Sequence, residues 1–206
     1  MTDIKKLTDD AIEYIRNLFS DNSDGHDFDH SMRVYANAVR IAGHHEDSDI
    51  LIVSMAALLH DADDYKNFDT KNNENARRFL CSESLPEDKI NRICEVINSV
   101  SFSKNKGKIP SSVEGKIVQD ADRLDAVGAV GIARTFAYGG KHGRTISDSV
   151  NHFHEKLLTL RDKMNTAEGK AEAERRHEYL KGFLEELRTE TEWSEHNNVQ
   201  EADFEH

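Results

Sequence analysis

Apolar residues recur at intervals of three and four along most of this 206-residue chain, which is the repeat of a helix with one buried face. The run from Ile50 to Leu59 is apolar almost all round, which indicates a helix in the centre of a bundle. The sequence shows no convincing alternation of a half-buried strand and no tight hairpin signal. The pattern therefore predicts an all-α fold, a single-domain helical bundle.

The helical pattern predicts one domain over residues 1–193. Its core is expected at about 23–137, and further helices are expected over 145–193. Residues 194–206 form a polar tail whose composition allows disorder. A chain of this length folds most simply as one helical domain.

The second half of the chain carries three local signals. A helix is predicted from about Val113, continuing toward Phe136. The glycine-rich run Tyr138–Gly143 then predicts a flexible loop, because its composition breaks the helical pattern. Ser147 is the expected N-cap of the helix that follows.

The charge balance limits the partners of the protein. There are 27 basic and 39 acidic residues, for a net charge of −12, which disfavours nucleic acid and anionic membrane surfaces but not a small anionic ligand. Cys81 and Cys94 are too few for a disulfide scaffold, so both are expected as reduced, partly buried thiols. With no apolar signal segment and no stretch long enough to span a membrane, a soluble, cytoplasmic protein is expected.

Histidines and carboxylates occur at the ends of the core helices. His60 and Asp61 directly follow the most apolar helix, where a buried imidazole and carboxylate must both be satisfied. His30 opens another core-facing helix. A third core helix carries three carboxylates within two turns: Asp120, Asp122 and Asp125. Like charges this close on a buried helix are costly without a cation.

Imidazoles and carboxylates that converge from three helices form a mixed nitrogen and oxygen ligand set. Such a set suits a borderline or hard divalent cation with open coordination positions. It accepts manganese, magnesium, cobalt, nickel, iron or zinc. The sequence therefore predicts one divalent metal ion without naming the metal.

These residues follow the H…HD…D order of the HD-domain metal-dependent phosphohydrolases, and the chain resembles that family from about Ser23 to Glu190. The matching stretches are HDFDHSMRV (26–34), LLHDADDYKNF (58–68), QDADRLDAVGAVGIARTFAYGG (119–140), KLLTLRDKMNT (156–166) and the run near Arg175 and Arg176. An HD dipeptide alone is common by chance, whereas the DADRLDAVGAVGIAR string is specific. The chain is most similar to a subgroup of small bacterial proteins that includes nucleotide pyrophosphohydrolases.

The resemblance implies four metal ligands: His30, His60, Asp61 and Asp122. The last of these is the aspartate of an A-D-x-L pattern, and Asp120 is the alternative. Asp125 is expected to accept a hydrogen bond that orients a ligand histidine or an arginine.

Further site residues are expected around these ligands. Asp64, three residues after Asp61, matches an acidic group that positions the attacking water, and Asp69 is a second catalytic candidate. Alternatively, Asp63 and Asp64 form only an acidic loop after the helix. The candidate substrate contacts are Lys66, Arg33, Arg123, Arg134, His26 and Lys141. The three arginines fit structural ion pairs equally well, and Lys141 is expected to reach phosphate from a mobile flap at Gly139–His142.

The resemblance implies a metal-dependent hydrolase of a small phosphorylated substrate, a nucleotide, which releases pyrophosphate from (deoxy)nucleoside triphosphates. A nucleotide monophosphatase, a phosphodiesterase and a non-catalytic nucleotide-binding regulator are the alternatives. An oxygenase with two irons would need further histidines, and the sequence has none from Ala62 to Ala121. No nucleic acid or membrane partner is expected, and the protein is expected as a monomer or as a homodimer through its late helices.

Overall fold

The computed structural model describes residues 3–20, 27–65, 67–100 and 108–197, with side chains to residue 191. Within these residues the chain is helical and contains no strand, which confirms the all-α prediction. The helices are α1 (Ile4–Leu18), α2 (Phe28–Ala42), α3 (Ile50–Leu59), α4 (Glu74–Ser82), α5 (Glu87–Val100), α6 (Val113–Asp125), α7 (Gly128–Lys141), α8 (Ile146–Glu155), a 3₁₀ helix (Leu157–Lys163) and α9 (Ala167–Asn197).

Helix α3 is the centre of the bundle, as the apolar run predicts. It packs against α1, α2, α5 and α6, and Met55, Leu58 and Leu59 have no exposed surface. Asp49 caps its N-terminus by accepting hydrogen bonds from the backbone N–H groups of Leu51 (3.0 Å) and Ile52 (3.4 Å). Because α3 has no polar face, its neighbours must cover it on every side. The residues at its C-terminal end therefore lie inside the bundle.

Helices α2, α3 and α6 all pack against one another. A short connection makes α2 and α3 antiparallel neighbours, so the start of α2 lies beside the end of α3. His30 is in the first turn of α2, where the carboxylate of Asp27 caps the helix by accepting a hydrogen bond from the backbone N–H of His30 (2.8 Å). The fold thus brings the predicted histidines together from two helix ends.

The single helix predicted from Val113 toward Phe136 is wrong, because the structure divides it in two. Helix α6 ends at Asp125 and α7 begins at Gly128. Gly128 has φ +80°, a left-handed conformation that glycine adopts without a steric penalty and that stops a right-handed helix. The glycine therefore serves as the turn between the two helices.

The flexible loop predicted at Tyr138–Gly143 is also wrong for most of its length. Helix α7 continues through Lys141, and Gly139 is buried where α7 packs on α8. Packing between helices has overridden the weak helix propensity of glycine. The Ser147 cap is replaced by Thr145, whose hydroxyl accepts from the backbone N–H of Asp148 (3.1 Å) while the Asp148 carboxylate accepts from the N–H of Thr145 (3.1 Å).

Three remaining predictions concern the whole chain. Both cysteines are free thiols, but Cys81 is exposed, whereas only Cys94 is buried as expected. Helix α9 reaches Asn197, slightly beyond the expected end of the domain at residue 193. Among the helices of the described residues, none has the length and apolar character needed to cross a membrane.

Two glycines of α7 test whether this segment is helical throughout. A Cβ at Gly131 would lie 2.3 Å from the carbonyl oxygen of Ala126, whereas nothing lies within 4 Å of a Cβ at Gly140. We expect Gly131→Ala to lower the free energy of unfolding by about 1–3 kcal/mol through overpacking. We expect Gly140→Ala to raise it by up to about 1 kcal/mol through helix propensity. Urea unfolding measures both changes, and a destabilised Gly140→Ala variant would contradict a helix at this position.

Candidate metal centre

The structure brings four predicted side chains together at the ends of α2, α3 and α6. The Nε2 atoms of His30 and His60 are 3.2 Å apart. Asp61 Oδ2 lies 3.4 Å from His30 Nε2 and 3.3 Å from His60 Nε2, and Asp122 Oδ1 lies 3.5 and 3.9 Å from the same two atoms. The histidine side chains are almost fully buried, whereas that of Asp122 is 32% exposed. The group of four is therefore open to solvent on the Asp122 side.

Hydrogen bonds on the far side of each ring fix the histidine tautomers. His30 Nδ1 lies 2.7 Å from Asp125 Oδ2, and His60 Nδ1 lies 2.9 Å from the carbonyl oxygen of Ala57. Both partners can only accept, since Asp125 is ionised, so each Nδ1 donates its hydrogen. When a ring is neutral, as a metal ligand must be, the lone pair of its Nε2 faces the other donors, which is how metal-binding histidines are oriented.

The four groups together demand a cation. Two imidazole lone pairs and two carboxylates face one small space, and such an arrangement is repulsive until positive charge enters it. Burial disfavours a charged His60, but the carboxylate of Asp61 outweighs this and, with Asp122, raises the pKa of His60 to about 9. The donor set, which consists of two histidine nitrogens and the carboxylates of Asp61 and Asp122, therefore fits a divalent ion.

Asp125 anchors this arrangement from behind His30. Its carboxylate is 1% exposed and also accepts hydrogen bonds from Arg33 Nε (2.6 Å), Arg33 Nη2 (3.1 Å) and Arg134 Nη1. Burial alone would raise the pKa of Asp125, but the bonds from His30 and Arg33 and the charge of Arg134 hold it well below its usual range. Asp125 thus makes the expected contacts with a histidine and with arginine.

Asp120 and Arg123 face the opposite side of α6. The fully buried carboxylate of Asp120 accepts from the backbone N–H groups of Asn165 (2.8 Å) and Thr166 (2.7 Å), which directly precede α9. Arg123 donates to the carbonyl of Lys163. Asp120, the alternative fourth ligand, and Arg123, a candidate substrate contact, thus hold the C-terminal part of the chain instead of joining the four.

The loop after α3 divides its acidic residues between separate roles. Asp63 accepts from the backbone N–H groups of Asn75 (2.9 Å) and Ala76 (3.1 Å), and so caps α4. Asp64 is half-buried, and its backbone N–H donates to the carbonyl of Asp61 (3.1 Å), which keeps it one turn from that residue. Asp69 is exposed farther along the loop.

Three predicted substrate contacts remain, Lys66, His26 and Lys141. Lys66 and His26 are outside the described residues. Lys141 is exposed at the end of α7, in a helix and not in a flap. Sequence reasoning missed the Ala57 carbonyl, because every residue carries one and only the fold selects it. It also missed the cap formed by Asp63, whose partners follow it by 12 and 13 residues.

Residues 27–127 match the family model of the HD domain. This range contains all four converging residues and Asp125. The chain belongs to the HD-domain superfamily and is a metal-dependent hydrolase. Family membership and the donor set together confirm the prediction of a divalent metal ion.

The chain is similar along most of its length to particular members of the superfamily. It is 38% identical over 183 residues to YpgQ of Bacillus subtilis, covering 84% of this chain and 88% of YpgQ. A crystal structure of Bacillus subtilis YpgQ in complex with ADP matches with a TM-score of 0.79 and 35% identity, over 91% of this chain and 96% of that one. An HD-superfamily hydrolase from Bacillus thuringiensis matches with a TM-score of 0.77 and 37% identity, over 92% and 98%.

The fourth ligand can be tested with two neighbouring aspartates. We expect Asp122→Ala to lose bound metal, because an oxygen donor is removed from the group of four. We expect Asp120→Asn to retain metal but to lower the free energy of unfolding by about 1–3 kcal/mol, since an amide NH₂ would then face the donors of Asn165 and Thr166. Metal content by atomic absorption and unfolding in urea give the two readouts. Metal loss in Asp120→Asn with normal metal in Asp122→Ala would reverse the assignment.

Proposed function

We propose that the protein hydrolyses small nucleotides and releases pyrophosphate from (deoxy)nucleoside triphosphates. The observation that carries the nucleotide is the ADP bound to YpgQ, a relative that matches this chain over 96% of its own length. ADP shares its base, sugar and first two phosphates with a nucleoside triphosphate. The choice of pyrophosphate as the leaving group rests on the resemblance to the pyrophosphohydrolase subgroup.

Four side chains would hold the divalent ion: His30, His60, Asp61 and Asp122. When bound, the ion supplies positive charge to a phosphate oxygen and lowers the pKa of a coordinated water. The carboxylates of Asp61 and Asp122 balance a charge of +2, while the two imidazoles add none. Further cationic side chains are therefore needed to bind a polyphosphate.

Arg33 and Arg134 lie beside His30, because both bond the carboxylate that contacts its ring. Both contact Asp125, and their side chains remain 35% and 28% exposed. An arginine guanidinium has five N–H donors in a planar fork, which suits both carboxylate and phosphate oxygens. In this proposal the exposed parts of the two guanidinium groups bind phosphate oxygens, Lys66 contacts the distal phosphates, and His26 and Lys141 are further candidate substrate contacts.

Asp64 is proposed to act on the attacking water. The turn that joins its backbone to Asp61 keeps both carboxylates on the same short segment. Asp64 would accept a proton from the water while the water oxygen bonds to the α-phosphorus. The bond from that phosphorus to the oxygen bridging toward the β-phosphorus breaks, so that a nucleoside monophosphate and pyrophosphate leave.

The reaction is tested by incubating the full chain with Mn²⁺ and each nucleoside triphosphate, and by measuring pyrophosphate and phosphate separately. Pyrophosphate and nucleoside monophosphate in equal amounts support the proposal. Phosphate from a monophosphate, or opening of a cyclic nucleotide without pyrophosphate release, indicates the alternative phosphatase or phosphodiesterase. Nucleotide binding with no product indicates a regulator. Asp61→Ala is the control that should lose both metal and turnover.

Asp64→Asn separates water activation from metal binding. The substitution keeps the shape of the side chain but removes its charge and basicity. We expect turnover to fall by about 10²–10⁴-fold, the range of a positioned acid–base group. Metal content should stay near normal, since Asp64 is outside the group of four. Steady-state kinetics and metal analysis of the same preparation check both expectations.

Asp69→Asn is the matched comparison, because Asp69 is an exposed aspartate of the same loop. We expect it to lose less turnover than Asp64→Asn. If Asp64→Asn keeps full turnover while Asp69→Asn loses it, Asp69 is the catalytic acid and Asp64 belongs to an acidic loop.

A further inference from the structure

Arg176 in α9 joins the two helices that carry His30 and Asp122. Its Nη1 donates to the carbonyl of Leu124 in α6 (2.6 Å), and its Nη2 donates to Asn37 Oδ1 in α2 (3.2 Å). The side chain is only 18% exposed, and it comes from outside the matched range 27–127. A residue outside the matched range thus donates hydrogen bonds to both helices, α2 and α6.

The Leu124 carbonyl lies at a helix end that is electrostatically unfavourable. Asp122 and Asp125 occupy the last turn of α6, where carbonyl groups lack partners within the helix and the helix dipole is negative. Carboxylates at this end repel the dipole, so the turn tends to fray. The Leu124 carbonyl accepts from the N–H of Val127 at 3.3 Å and more closely from Arg176. A cation at a helix C-terminus offsets the dipole at the point where it is strongest.

The position of Arg176 is fixed by its surroundings. Its Nε donates to Glu172 Oε1 (2.7 Å) one turn earlier in α9. Its aliphatic stem lies against Gly128, where a Cβ would be 3.1–3.3 Å from Cγ, Cβ and Cδ of Arg176. The stem therefore covers the start of α7, the helix that supplies Arg134 to Asp125.

We propose that Arg176 is a positioning residue for the metal centre. It holds the C-terminal turn of α6 against α2 through the Leu124 carbonyl and Asn37. The Leu124 carbonyl belongs to the peptide that leads into Asp125, so its placement sets the carboxylate that orients His30. The same turn carries Asp122, whose oxygen must stay beside the two histidine nitrogens.

The test uses Mn²⁺ alone, so it is independent of the substrate proposed above. Arg176→Met keeps the stem over Gly128 and removes every donor. We expect the Kd for Mn²⁺, measured by titration calorimetry on the metal-free full chain, to rise about tenfold, at the low end of the 10–100-fold range for residues supporting metal ligands. Arg176→Lys keeps the charge at the Leu124 carbonyl and should recover part of the loss.

Arg175→Met is the matched control. Arg175 bonds the same Glu172 at 2.7 Å, but its side chain is 70% exposed. We expect its Kd for Mn²⁺ to stay within about twofold of the unaltered protein, as for a surface substitution. An equal loss in both variants would point to the charge of α9 in general and would overturn the proposal.

Circular dichroism and thermal unfolding of the metal-free variants separate positioning from packing. A folded Arg176→Met variant with a lower Tm but an unchanged Kd for Mn²⁺ would show that Arg176 only stabilises the fold, and would overturn the proposal. If Arg176→Met does not fold, Arg176→Lys decides the question. A weakened Kd in its folded form supports positioning, and an unchanged Kd overturns it.

Discussion

The buried carboxylate of Asp125 is the interaction on which the metal centre depends. Removing a carboxylate from water costs several kcal/mol, and the charge persists only where close partners offset that cost. Here the partners are His30 from α2, Arg33 from the next turn of α2 and Arg134 from α7. Helices α2 and α7 are thus both bonded to Asp125 of α6, and the His30 ring is turned so that Nε2 faces His60, Asp61 and Asp122.

Helix α6 carries out two tasks on opposite faces. Asp120 and Asp122 are two residues apart, which is about 200° around a helix. Asp122 consequently points to the histidines, while Asp120 accepts from Asn165 and Thr166. The ligand-bearing helix is held from behind by the C-terminal part of the chain. The hydrogen bonds of Asp120 therefore join the HD domain to the later helices.

The features predicted from the sequence are those encoded by local pattern. The apolar run Ile50–Leu59 specifies a central helix, because no arrangement that exposes one of its faces is stable. A helix of that kind also fixes where His60 and Asp61 emerge. The candidate site could be predicted from these helix-end positions and from the long DADRLDAVGAVGIAR motif.

The features that the sequence did not predict depend on distant contacts. A glycine in the sequence fits a helix interior as well as a left-handed turn. The structure shows that Gly128 forms the turn, and that it packs against the side chain of Arg176 from a distant helix. The composition around Gly139 predicts a loop, but Gly139 lies in a helix where α7 packs on α8. The partners of Asp63 lie a dozen residues away, so an acidic run gives no sign that one member caps α4.

The net charge of −12 and a polyphosphate substrate are compatible because electrostatics at the site are local. At physiological ionic strength, charges on the surface are screened beyond about 8 Å. Arg33 and Arg134 lie at hydrogen-bond distance from Asp125, next to the ligands, and water is partly excluded around them. In the proposed function, their attraction for a phosphate acts at short range, whereas the repulsion from remote acids is screened. The small anionic substrate would then enter by the open side at Asp122.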